Sequence, residues 1–103
     1  MRQLQSIAPE KARHSRPMKS RAVSSFWISY RRLPAEVQLA AKKQYRLWLS
    51  DPHHPSLRFK KVGNDWSARI TGDYRAVGVM DGDTVIWYFI GTHAEYDRLL
   101  GTK

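Results

Sequence analysis

A chain of 103 residues fits one small domain, and without cysteine it carries neither a disulfide framework nor a thiolate zinc site. No apolar run approaches the roughly 18 residues of a membrane-spanning helix, and the N-terminus lacks the apolar stretch of a secretory signal, so a soluble, cytoplasmic protein without a membrane partner is expected. Eighteen Lys and Arg against nine Asp and Glu give a net charge of +9, a balance that favours polyanionic partners such as RNA, DNA or an acidic protein.

Residues 1–23 have little apolar periodicity, two prolines and scattered positive charge, and read as a basic, disordered tail. Met18 stands where the patterned sequence is about to begin and could be the true translation start. Alternatively the tail is a basic arm that strengthens nucleic-acid binding. The remainder, 24–103, reads as the folded domain. It is basic in its own right: residues 26–103 carry +4, and residues 1–25 carry +5.

"SSFWISYRRL" (24–33) opens with serines able to cap a short helix, with Phe26, Trp27 and Tyr30 available for burial. Pro34 suits the first turn of a second helix, 34–50, because its missing N–H costs nothing there. Val37, Ala41, Tyr45 and Trp48 form an apolar stripe at helical period, with Lys42, Lys43 and Arg46 on the solvent side. Prolines in "SDPHHP" end this helix.

Beyond them the period changes to two. Residues 56–62, 65–71, 73–80 and 83–91 are strand-like, separated by "GND", "TGD" and the hairpin dipeptide "DG". Three short links in succession predict a four-stranded antiparallel meander. "THAEYDRLL" (92–100) returns to helical spacing, with Thr92 and Glu95 placed as a capping box and Tyr96, Leu99 and Leu100 on one side. The expected fold is α+β: two N-terminal helices packed on a four-stranded sheet, then a short C-terminal helix, with the helices covering one sheet face.

Two arginines stand out. Along 65–71, Trp66, Ala68 and Ile70 point to the core while Ser67, Arg69 and Thr71 make a polar face. Arg75 shares parity with Val77 and Val79, so polarity leaves its side open. The tight "TGD" link makes the two strands neighbours, which puts Arg69 and Arg75 within reach of one anion if they share a face. Guanidinium forks match phosphate oxygens; the alternative is pairing with Asp65, Asp73 or Asp97. Arg58, Lys60 and Lys61 add a basic stripe, suited either to RNA contact or to protecting a sheet edge. His93, at a strand–helix junction, can give or take a proton near neutral pH. His53 and His54 lie in a proline-rich turn. A His93–Asp97 metal pair is geometrically possible, but two ligands make a weak site.

Taken together, the helical pair ending in "LSDPHHPSLRFKKV", then "WSARITGDYRAVG" and "GDTVIWYFIGTHAEYDRLL", resemble the RelE/ParE superfamily of type II toxins over roughly residues 24–100. "WSARI" followed by "DYRA" is most similar to its RelE, YoeB and HigB-like branch. The resemblance implies a RelE-like fold and a ribosome-associated mRNA endoribonuclease, an mRNA interferase that inhibits translation. It needs no metal or other cofactor, and acts by attack of the ribose 2′-OH on the adjacent phosphate. It also implies a cognate antitoxin, acidic or helix-turn-helix, which can bring the pair to operator DNA.

Matched position by position, Arg75 and Arg69 would stabilise the phosphate, His93 would be the general acid, and Tyr96 would orient RNA. The YoeB-like pattern has a glutamate base before the "WSARI" strand, and no carboxylate lies between Pro52 and Asn64; His54 or Lys60 would have to replace it. Ser67 occupies a position that is often lysine in RelE relatives. Other members of the superfamily act without chemistry, as ParE-like gyrase inhibitors. An inactive homologue serving as an antitoxin or DNA-binding partner is the remaining alternative.

Overall fold

The computed structural model describes residues 18–101. In chain order these form β1 (Lys19–Ala22), α1 (Ser24–Arg31), α2 (Ala35–Ser50), a 3-10 turn (Pro55–Leu57), β2 (Lys60–Val62), β3 (Asp65–Arg69), β4 (Tyr74–Asp81), β5 (Thr84–Thr92) and α3 (His93–Leu100). The architecture is α+β, as expected, with β2 to β5 in an antiparallel meander.

The sheet has five strands rather than four, in the order β1-β5-β4-β3-β2. The added strand, β1, lies inside the stretch read as tail and runs parallel to β5, Lys19 opposite Thr84 and Ala22 opposite Trp87. Lys19 and Arg21 are exposed while Ser20 and Ala22 are half-buried, but an alternation of four residues is too short to mark a strand without its pairing to β5. Met18 packs against the core beside them. Residues 1–17, and with them the tail and its proposed arm, lie outside the described residues.

The passage from β1 into α1 is tied to β5: Val23 N–H donates to the Trp87 carbonyl at 3.1 Å and the Ser25 hydroxyl to the Tyr88 carbonyl at 2.8 Å. Neither serine caps α1, because Val23 occupies the N-cap. In α2 the Pro34 carbonyl starts the helix by accepting from Val37 and Gln38 at 3.0 Å. Val37, Ala41 and Trp48 are buried as their spacing predicts, but Tyr45 on the same stripe stays 42% exposed. Its ring stacks on Trp48 and its hydroxyl bonds to Ser20, so it closes over the core edge rather than entering it.

The main core lies between α1, α2 and one sheet face, where Trp48, Leu57, Ala68, Ala76, Val85, Trp87 and Ile90 are buried. Trp87 and Ile90 are three residues apart, which strict alternation would put on opposite faces. A β-bulge reconciles them: Val77 pairs with Phe89 but Gly78 with Trp87, so Tyr88 is extra. Gly78 sits where the strands crowd; a Cβ there would meet the Ile86 carbonyl oxygen at 2.7 Å.

Two further expectations are corrected. Residues 56–62 are not one strand. Pro55 opens a 3-10 turn that His54 caps, its Nδ1 accepting from Ser56 N–H at 3.1 Å, and Arg58 then turns left-handed at φ 44°. Nor do all helices share one face, since α3 packs on the opposite side of the sheet. There the Tyr96 hydroxyl lies 3.3 Å from Ser67 Oγ, and both residues are buried.

Candidate active site

The antiparallel register decides what polarity left open. Arg69 pairs directly with Arg75, and Ser67 with Val77, so the two arginines share the face opposite the main core. Directly opposed residues bring their Cβ atoms to roughly 5 Å, and like charges so placed repel. On β5, Gly91 is the partner of Arg75 and contributes no side chain. Room for one is absent: a Cβ would collide with the Phe89 ring and the Glu95 carboxylate.

Arg75 is held by the turn between β3 and β4. Its Nη1 donates to the carbonyls of Thr71 (2.8 Å), Tyr74 (3.1 Å) and Gly72 (3.4 Å). Burial is the main influence lowering its pKa; Arg69 and Arg58 push the same way, while Tyr96 and Asp97 oppose them. Arg69 is positioned from the other side, its main-chain carbonyl accepting from Gln44 Nε2 of α2 at 3.1 Å.

The other members reach the same space from three elements. Lys60 on β2 is the partner of Ser67, hence on the arginine face. Arg58 arrives through its left-handed backbone, a conformation that costs a non-glycine residue free energy and clusters at functional sites. His93 begins α3, capped by the expected box: Thr92 Oγ1 accepts from Glu95 N–H at 3.1 Å and Glu95 Oε1 from Thr92 N–H at 2.8 Å. His93 N–H donates to the Asp73 carbonyl at 2.7 Å, tying the helix start to the turn that holds Arg75. The imidazole Nε2 lies 3.5 Å from Asp97 Oδ2, and its ring centre is 5.6 Å from that of Tyr96.

Arg58, Lys60, Ser67, Arg69, Gly72, Arg75, His93 and Tyr96 line one cavity of about 300 Å³. Six of the eight side chains singled out from the sequence therefore converge. Lys61 does not: it pairs with Trp66, on the parity of the core face, and is exposed. His54 does not either, since its ring caps the 3-10 turn and bonds to Ser56. Of the three aspartates offered as arginine partners, Asp65 instead accepts from the Tyr88 hydroxyl at 2.7 Å. Ser67 and Gly72 also line the cavity; sequence reasoning placed Ser67 on the polar face with Arg69 but gave neither residue a role.

Four cationic side chains and no carboxylate line the cavity, a composition that suits an anion with several oxygens. Among the described residues, no group of three or more His, Asp or Glu side chains is placed to hold a metal ion. A second cavity of about 430 Å³ is apolar and lies between α1, α2 and the core face; it includes Gln44 and Trp48. No described helix is long and apolar enough to cross a membrane.

A family model described as the ParE-like toxin domain matches residues 35–98. No curated protein sequence matches the chain. Among solved structures, YafQ from E. coli strain BL21(DE3) is similar at 10% identity and a TM-score of 0.62, covering 77% of this chain and 97% of that one. A mutant of the E. coli toxin RelE in the free state is similar at 16% identity and a TM-score of 0.60, covering 82% and 92%. The RelBE2 toxin–antitoxin complex of Mycobacterium tuberculosis gives 19% identity and a TM-score of 0.58, covering 76% and 93%. At these identities the likeness is one of fold.

Proposed function

The chain belongs to the ParE-like toxin domain family, within the RelE/ParE superfamily, and on that premise we propose that it is the toxin of a toxin–antitoxin pair whose basic cavity cleaves mRNA. The observation that carries the nuclease reading is the convergence of Arg69, Arg75 and His93 on one cavity whose lining holds four cations and no carboxylate.

The reaction needs charge neutralisation at phosphorus, an acid for the leaving oxygen and a base for the nucleophile. Arg69 and Arg75 hold the non-bridging oxygens of the scissile phosphate, and the anion relieves their mutual repulsion. The 2′-oxygen attacks phosphorus, the bond to the 5′-oxygen breaks, and His93 protonates that oxygen. The products are a 2′,3′-cyclic phosphate and a 5′-OH. With His54 engaged in its own turn and the four Lys and Arg side chains of the lining cationic, the 2′-OH proton passes to solvent water. Tyr96 is buried and bonded to Ser67, so it sets the position of α3 and His93 rather than stacking on a base. Arg58 binds the neighbouring backbone phosphate.

An antitoxin is the natural protein partner. Structural neighbours include RelB–RelE complexes of Methanococcus jannaschii and E. coli, and an acidic partner would complement this surface. Ribosome association, inhibition of translation in the cytoplasm and operator binding through the antitoxin complete the proposal. The test is mapping of new 5′-OH RNA ends minutes after induction in a bacterial host. Ends clustered within translated codons, lost in Arg75→Ala, support an mRNA nuclease. Growth arrest without new ends moves the target to gyrase or another binding partner.

A further inference from the structure

Protonated His93 has an electrostatic problem. It sits at the first position of α3, where the helix dipole disfavours a cation. Arg75 on β4, Arg69 on β3, Lys60 on β2 and Arg58 before it line the same cavity. Glu95, the other acid on α3, is turned back onto Thr92 N–H and Oγ1. The carboxylate that meets the ring is Asp97, one turn along, with Oδ2 3.5 Å from Nε2.

We propose that Asp97 is the positioning residue of this site: it holds His93 through Nε2, leaves Nδ1 to the substrate, and supplies the countercharge with which the imidazole carries a proton among cations. The assignment rests on the RNA-cleaving reading above. As the 2′-oxygen bonds to phosphorus and its proton passes to solvent water, the electron pair of the breaking bond goes to the 5′-oxygen. That oxygen takes the proton from Nδ1. Imidazole is then neutral with its remaining N–H directed at Asp97, and solvent restores the proton before the next cycle. The pair is about half exposed in the free protein, so its coupling is modest until RNA excludes water from the cavity mouth.

The experiment is an NMR titration of the His93 ring in the full chain, alongside the pH dependence of RNA cleavage, for wild type, Asp97→Asn and Asp97→Glu; His93→Gln identifies the resonance. In Asp97→Asn the His93 midpoint should fall below that of the wild type, because the facing countercharge is gone. The alkaline limb of the cleavage profile should move the same way, because protonated His93 is the form that reacts. Asp97→Glu should recover most of both. A midpoint and limb that stay at the wild-type pH in folded Asp97→Asn overturn the role of Asp97 alone. A wild-type chain that cuts no RNA overturns the nuclease reading itself, and with it the step assigned to His93.

Discussion

Arg69 and Arg75 are direct cross-strand partners, and Arg75 is fixed there by three backbone carbonyls of its own turn. Two like charges are thus held together at a cost to the folded chain, in an arrangement that an anion would relieve.

Removing one of them should separate stability from function. Arg75→Ala removes the opposed charge but also the bonds to three turn carbonyls, so the stability read from the denaturation midpoint is expected to fall only slightly, by about 1 kcal/mol or less. Affinity for single-stranded RNA should fall roughly 10- to 100-fold, the value of one charge-assisted contact. Chemical denaturation and binding titrations on the same preparation check both halves.

The arginine face can be told from the other sheet face by salt. Each lost phosphate contact should lower the slope of log affinity against log salt by about 0.7 for a single strand. Lys60→Ala, on the cavity side, should show that drop. Lys61→Ala, its neighbour on the opposite parity, should leave the slope as it is. Fluorescence titrations between low and moderate salt make the comparison.

Tyr96 and Ser67 depend on one another. Tyr96→Phe leaves a buried Ser67 hydroxyl without that partner and should cost about 1 kcal/mol. Adding Ser67→Ala should recover part of the loss, a coupling that a double-mutant cycle in urea measures directly.

Gly91 has no space for a methyl group beside Phe89 and Glu95. Gly91→Ala should displace the Glu95 carboxylate, break the capping box and cost about 0.5–2 kcal/mol. Since His93 and Tyr96 ride on α3, RNA cleavage should fall further than the stability loss explains, as read from activity well below the melting temperature.

Alkaline pH should destabilise the fold through Tyr88. Burial, then its hydrogen bond to Asp65, raises the phenol pKa above its ordinary value. The unfolded chain therefore ionises first, and stability present below about pH 10 is lost as pH rises further. Tyr88→Phe should flatten that decline in thermal melts taken across the alkaline range.

Much of the site was legible because alternation is a local rule. Arg69's parity against Trp66 and Ala68, the short "TGD" link and the Thr92–Glu95 box each depend on residues close in sequence, and all three hold in the structure. The face of Arg75 was not legible, because a strand with small or apolar residues at both parities, Ala76 and Gly78 against Val77 and Val79, carries no polarity signal. The bulge at Tyr88 was hidden for a similar reason: "VIWYFI" is apolar throughout, so a shift of one residue leaves its pattern unchanged.

By itself, then, the sequence determined the helices, the meander, the basic balance and the family likeness, all properties of local patterning and composition. Tertiary structure decided that "KSRA" becomes a parallel edge strand, that α3 covers the face opposite α1 and α2, and that Arg58, Lys60, Arg69, Arg75 and His93 share one cavity while Lys61 and His54 do not. The physical reason is that strand pairing and sheet face are set by contacts between residues distant in sequence. A one-residue change in register moves a side chain from core to solvent without altering any local propensity.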